Sequence, residues 1–171
     1  MTYFAYGSNM LEQRLRHAAR APSAVFLGVG AVRGYRLVFH KAGMDGSGKC
    51  ALDDTHDHSD VVYGVLFEID DAQWTRLDAA EGVKGGGYSR ETIAVELVGC
   101  GTQVQAQTYV ANRQFVDASQ VPFDWYKALV VAGALEHGLP DAYVRVLQDV
   151  ATIRDPNDER REAALAALGD L

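Results

Sequence analysis

Residues 69–88 read Ile-Asp-Asp-Ala-Gln-Trp-Thr-Arg-Leu-Asp-Ala-Ala-Glu-Gly-Val-Lys-Gly-Gly-Gly-Tyr, and the chemistry they could do centres on one carboxylate. Asp70 is a natural N-cap and Asp71 suits a first helical turn, so a helix should begin there and end near Gly82. At roughly 100° per residue, Glu81 projects between Trp74 and Leu77, the two large apolar residues of its own helix. Asp78 falls nearer the edge of that face. A carboxylate on a core-facing surface is costly unless it is paired or used. Desolvation raises its pKa, which suits a general base working near neutral pH. The plainer alternative is a salt-bridged or helix-terminal glutamate that bends back to water. The glycine-rich stretch 82–87 that follows permits close approach of backbone to a ligand, or serves as a wide turn.

A second candidate lies at residues 3–10, Tyr-Phe-Ala-Tyr-Gly-Ser-Asn-Met. An apolar run stops at Gly7-Ser8-Asn9 and hands over to helical spacing, with Leu11 and Leu15 at i, i+4. Asn9 and Glu12 resemble a capping box with Asn in place of Ser or Thr. Such a junction presents N–H groups that can hold an anion. It also reads as a turn with an N-cap, and one feature can serve both purposes. Ser8 lacks the Gly-x-Ser-x-Gly elbow of a nucleophilic serine.

Two other stretches imitate sites. Residues 43–50, Gly-Met-Asp-Gly-Ser-Gly-Lys-Cys, miss a phosphate-binding loop by one position, Cys50 standing where Ser or Thr should reach Mg²⁺, and no helix pattern follows. A glycine-rich hairpin loop accounts for them better. Residues 53–60 gather two histidines among aspartates, which reads as a solvated acidic loop rather than a metal site. Trp125, Tyr126 and Leu129, at helical spacing, suit a core or groove lining.

The elements that must position these residues are strands first and helices later. Strand patterns occur at 3–6, 24–30, 35–41, 61–69, 88–98 and 103–111. In 88–98, Ile93, Val95 and Leu97 alternate with Thr92, Ala94 and Glu96. In 103–111, Val104, Ala106 and Val110 share one face, and Gln103, Gln105, Gln107 and Tyr109 the other. That period of two suits antiparallel strands, with a turn at 99–102. Residues 122–140 are helical with Gly138 as the stop, and a second helix runs from Pro140 or Asp141 to about Val150. A polar segment then leads to an Ala-rich tail that is helical or frayed. With no repeat or linker, residues 1–171 form one α+β domain, the part after about 155 being a tail, and six or seven strands close or nearly close into a barrel.

Composition narrows the function classes. The chain has 171 residues, 48% apolar and 23% charged, with a net charge of −7 and no dense basic run. A nucleic-acid or anionic-membrane surface is therefore disfavoured. No stretch has the length of a membrane span, and the N-terminus lacks the pattern of a secretory signal. Two cysteines, Cys50 and Cys100, stand at no motif spacing, which favours a reducing compartment; the expected location is cytoplasmic.

Together, Tyr6-Gly7-Ser8-Asn9-Met10 and Leu77-Asp78-Ala79-Ala80-Glu81-Gly82 ahead of Tyr88 resemble the signature of the γ-glutamylcyclotransferase family, with its AIG2-like fold. Residues 125–143 are similar to that family's C-terminal helix pair, so the resemblance spans nearly the whole chain. It implies a small mixed, mostly antiparallel β-barrel with flanking helices and a cavity at the barrel mouth. It implies an enzyme that cyclises a γ-glutamyl group to 5-oxoproline and releases the attached amine, without metal or organic cofactor. The partner it implies is a small-molecule γ-glutamyl substrate, on a monomer or homodimer. Carried over by position, Glu81 is the acid/base, and Tyr6, Gly7, Ser8 and Asn9 form the substrate-holding loop. Tyr88 aligns with a tyrosine close to the site, and Tyr109 and Tyr126 align with two more. Lys41, Lys49 or Arg90 could contact an anionic leaving group. The leaving group itself stays open among amino acids, amines, glutathione's cysteinyl-glycine and larger acylated products. Two readings of other classes stay open as well: a non-catalytic ligand-binding module, and a γ-glutamyl amide hydrolase or acyltransferase on the same fold.

Overall fold

A computed structural model describes residues 1–166 and Leu168. Five strands close into a barrel in the order β1 (Thr2–Ala5), β5 (Val61–Glu68), β2 (Val25–Arg33), β6 (Tyr88–Leu97), β7 (Gln103–Ala111). Every pairing is antiparallel except the closing one, where β1 meets β7 in parallel through Tyr3 and Gln107. The period-two patterns explain why these segments are strands, since alternate residues must face a packed interior. Phe4 supplies much of that interior: its ring lies where a side chain on Gly30 or Gly64 would stand, beside Leu66. Burying such a ring contributes about 1.5–3 kcal/mol.

The barrel has fewer strands than the expected six or seven, because β3 (Tyr35–Ala42) leaves it and pairs with a strand that the sequence patterns do not show, β4 (Gly48–Asp54). The two form a separate hairpin, turned by the residues that imitate a phosphate loop. There the Gly43 amide donates to Ser47 O (2.8 Å), and Asp45 Oδ1 accepts from both the amide and the hydroxyl of Ser47. The acidic loop likewise satisfies its own backbone: Asp54 accepts from the His56 amide, and Asp57 from the amide and hydroxyl of Ser59.

The first helix is shorter than its sequence spacing suggests. A 3₁₀ turn (Ser8–Met10) is followed by a single turn of α-helix, α1 (Glu12–Leu15), and the chain then coils back with the Ala21 amide donating to Leu15 O (3.0 Å). The expected Asn9–Glu12 capping box does not form: Leu11 takes the N-cap position of α1, and the Asn9 side chain points elsewhere. After β5, Asp70 caps as expected by accepting from the Ala72 amide (3.1 Å), and a 3₁₀ turn (Asp71–Gln73) runs into α2 (Trp74–Ala80).

Helix α3 (Asp124–Glu136) packs across the 3₁₀ turn, and Gly133 makes this possible. A Cβ there would stand 2.5 Å from the Leu11 nitrogen and 2.7 Å from the Met10 carbonyl carbon. The helix stops as expected at Gly138, whose φ of +62° lets the Leu139 amide return to Ala134 O (3.0 Å). Helix α4 (Asp141–Asp149) follows, and α5 (Asp158–Ala166) occupies the tail, whose last residues lie outside those described. Asp155, 0% exposed, joins α5 to α3: it accepts from Trp125 Nε1 (2.7 Å) and takes a two-toothed pair from Arg160 (2.6 Å each). Among the described residues, no helix is long and apolar enough to cross a membrane.

Candidate active site

Glu81 caps the C-terminal end of α2. Its amide still donates to Leu77 O (2.9 Å), and Gly82, with φ of +69°, turns the chain out of the helix. The side chain, 19% exposed, lines a small recess that opens to solvent. One wall of the recess is the loop Tyr6, Gly7, Ser8 and Asn9; Tyr88, Tyr109 and Tyr126 close the others. Glu81, the four loop residues and the three tyrosines thus meet around one cavity, although the segments lie as far apart as Tyr6 and Tyr126, whereas Lys41, Lys49 and Arg90 are not among its lining residues.

The two oxygens of Glu81 are unequal. Oε1 accepts from Asn9 Nδ2 (2.9 Å) and from Arg20 Nη1 (2.7 Å). Oε2 has no hydrogen-bond partner among the described residues. Asn9 links this pair to the barrel, its Nδ2 also donating to Tyr3 Oη (3.0 Å), while Arg20 also reaches Asn9 Oδ1 (3.2 Å). Arg14 Nε donates to Ser8 Oγ (3.1 Å). Burial, and then the neighbouring Arg20 guanidinium, lower the pKa of Arg14 from its ordinary value. The salt-bridged glutamate expected as the plainer alternative is therefore present, and it leaves one carboxylate oxygen of a cavity-lining residue without a partner among the described residues.

The tyrosines form walls by holding backbone. The Tyr6 hydroxyl donates to Tyr109 O, and the Tyr88 hydroxyl donates to Cys50 O (2.7 Å). The Tyr126 hydroxyl accepts from the Cys50 amide (3.2 Å), so two phenols grip the backbone of one residue from both sides of its Cα. Tyr109 was expected on the same face as three glutamines. It is buried nonetheless, because that face is covered at its Tyr109 end while Gln103 and Gln105 stay exposed: the Tyr109 ring stands edge-on to Tyr3 at 5.8 Å, and its hydroxyl donates to Asp78 Oδ1 (2.8 Å). Arg90 engages the other Asp78 oxygen (3.3 Å). Gly7 is needed for space rather than for an unusual backbone angle. With φ of −122°, it has Cys50 Cβ only 3.1 Å from where its own Cβ would stand.

These environments sort the groups by what they can do with a proton. Burial pushes the phenols of Tyr3, Tyr6, Tyr88, Tyr109 and Tyr126 above their ordinary range. It also pushes the Cys50 thiol up to about 12, so that group stays protonated and is a poor nucleophile. Ser8 faces a guanidinium and has no base beside it among the described residues. Glu81 is left as the carboxylate of the cavity with an unengaged oxygen.

Four contributors escaped the sequence reading: Tyr3, Cys50, Arg14 and Arg20. The arginines sit in a charged stretch that reads as a solvated helix face, and the chain there leaves the helix after Leu15, which no residue pattern in the stretch signals. The anion-holding expectation for residues 7–9 changes accordingly. The amides of Ser8 and Asn9 have no backbone acceptor among the described residues, yet the helix behind them is one turn long and its dipole is small. Positive charge comes from Arg14 and Arg20 instead.

The chain matches the AIG2-like family over residues 61–147. It is 31% identical to gamma-glutamylcyclotransferase of Bos taurus, over 91% of this chain and 79% of that protein. The same identity and coverage hold for gamma-glutamylcyclotransferase of Homo sapiens. A solved structure of a gamma-glutamyl cyclotransferase superposes with a TM-score of 0.83 at 26% identity, covering 97% of this chain and 98% of the other.

Proposed function

The chain belongs to the γ-glutamylcyclotransferase family and is an enzyme of that type, and from this we propose that it cyclises the γ-glutamyl group of a γ-glutamyl amino acid or amine to 5-oxoproline, with Glu81 moving the protons. The observation that carries the assignment is the asymmetry of Glu81. One oxygen is pinned by Asn9 and Arg20, and the other is unengaged in a cavity whose remaining titratable groups are protonated or paired.

The reaction is an intramolecular aminolysis. The α-nitrogen of the substrate forms a bond to its own γ-carbonyl carbon, and the bond from that carbon to the leaving nitrogen breaks. No water is consumed. The nucleophile arrives with the substrate, so the protein must fold the substrate into a near-attack shape and transfer protons. Arg14 and Arg20, with the amides of Ser8 and Asn9, suit the α-carboxylate, which places the α-ammonium next to Glu81. Glu81 Oε2 accepts a proton from the attacking nitrogen and returns one to the departing amine. Tyr6, Tyr88, Tyr109 and Tyr126 shape the cavity; their hydroxyls are occupied by backbone or by Asp78 and serve as fixed walls. Gly7 keeps the loop close to the Cys50 wall and opens room for the substrate.

The test is a product assay. Purified protein is incubated with γ-glutamyl dipeptides, γ-glutamyl amines and glutathione, and products are weighed by mass spectrometry, with Glu81→Gln beside the wild type. The expected result is 5-oxoproline from wild type alone. Free glutamate in its place identifies a hydrolase. Wild-type rates from Glu81→Gln overturn the mechanism, and ligand-induced stabilisation without any product identifies a binding module.

A further inference from the structure

We infer that Lys41 is a specificity-determining residue that holds a carboxylate on the leaving amine. This rests on the cyclotransferase reading above. It begins with the three cations that could serve an anionic leaving group. The Lys49 ammonium is committed to Asp45 (2.7 Å) and lies over the Tyr126 ring, 4.6 Å from its centroid. Arg90 is committed to Asp78 and lies 4.9 Å above Trp74. Lys41 has no acidic or hydrogen-bonding partner among the described residues, although it is only 9% exposed.

Its position is built, not accidental. Lys41 and Lys49 stand directly opposite each other in the β3–β4 hairpin, an arrangement that like charges disfavour. Lys49 escapes by pairing with Asp45. Lys41 instead sends its ammonium over the ring of Tyr88, 5.0 Å from the centroid, at the cavity wall. The tip lies against Gly87, where a Cβ would come within 3.1 Å of Nζ. Gly87 therefore leaves room for this ammonium, in the loop that directly follows Glu81. Burial lowers the pKa of Lys41 from its ordinary value, with Glu81 and then Asp45 opposing the shift. A half-desolvated ammonium with no partner is costly and gains most from an incoming anion.

The arrangement also fits a substrate with two carboxylates. Arg14 bonds Ser8 and Arg20 bonds Asn9 and Glu81, all three of which line the cavity, and Lys41 stands over the ring of Tyr88, another lining residue. A γ-glutamyl amino acid carries one carboxylate on the glutamyl end and a second on the leaving amino acid. A γ-glutamyl amine carries only the first.

The experiment compares γ-glutamyl-alanine with γ-glutamyl-ethylamine, which have the same skeleton with and without the second carboxylate. The readout is kcat/KM for 5-oxoproline release by the full chain. The wild type should favour the alanine substrate by roughly 10-fold or more, and Lys41→Met should bring that ratio close to one through a loss on the alanine substrate. An equal loss on both substrates, or an unchanged ratio, overturns the inference. So does a wild type that treats the two substrates alike, whether or not the variant folds. If the wild type releases 5-oxoproline from neither substrate nor from the wider panel, the parent reading fails and takes this one with it; release at equal rates sinks this inference alone.

Discussion

Two arginine–carboxylate pairs lie at opposite ends of this molecule's chemistry. At the junction of α3 and α5, Asp155 is fully buried, and both of its oxygens are filled by Arg160, Trp125 and the Asn157 amide. In the cavity, Glu81 meets Arg20 through a single oxygen and keeps the other unengaged. The difference lies in saturation rather than in residue type. A carboxylate with every lone pair taken can only hold elements together, and removing it leaves an uncompensated cation. A carboxylate with one anchored and one free oxygen is oriented and still able to exchange protons. Glu81 is thus held as firmly as a structural residue on one side and left chemically open on the other.

Breaking each pair in turn should separate the two behaviours. The largest effect is expected from Glu81→Gln, which keeps shape and removes the proton acceptor: kcat should fall by about 10³-fold while Tm, read by calorimetry, stays within about 2 °C of wild type. Arg20→Met comes next, releasing the anchored oxygen and one positive charge; kcat/KM for 5-oxoproline release should fall by roughly 10- to 100-fold. Asp155→Asn should do the reverse of Glu81→Gln. Tm should drop by roughly 10 °C, while kcat, measured where the variant is still folded, stays within about twofold of wild type.

The smallest effect concerns pH. Arg160 foremost, then the Asn157 amide and the Trp125 indole, hold the Asp155 carboxyl well below its ordinary value of 3.8. A folded pKa below the unfolded one gives stability that is present above the unfolded value and lost as pH falls through the folded one. Melting curves recorded downward from about pH 5 should therefore slope more steeply for wild type than for Asp155→Asn. Parallel slopes would mean that Asp155 carries no such linkage.

Much of this was legible in the sequence where one periodicity sufficed. The alternation in 88–97 and 103–111 gave a hairpin with the expected pairing, and the helical angle between Trp74, Leu77 and Glu81 put that carboxylate on the inner side. Strand β4 was hidden because Lys49, Asp53 and Asp54 break the alternation, and its pairing with β3 supplies the order that its composition does not. Arg14 and Arg20 were hidden because six residues of helix would have sent them outward; the return of Ala21 to Leu15 ends the helix and swings Arg20 to Glu81. Asn9 has the chemistry of a cap, and its side chain found better partners in Tyr3 and Glu81 than the adjacent backbone offered. In each case, contacts between residues distant in sequence overrode a sound local preference.

The barrel closes where β1 meets β7, and the closure is tied by Thr108 Oγ1 to Phe4 O (2.8 Å) and by the Tyr6 hydroxyl to Tyr109 O. Those residues are more than a hundred positions apart, so this seam is among the slowest contacts for the chain to find. Tyr6 and Tyr109 also wall the cavity. A ribosome must therefore release the chain well past residue 109 before the first six residues can find their partner, and for that stretch of synthesis the nascent chain carries Glu81 while the walls of its cavity are still unsealed. Fold completion and the onset of activity become one event in time.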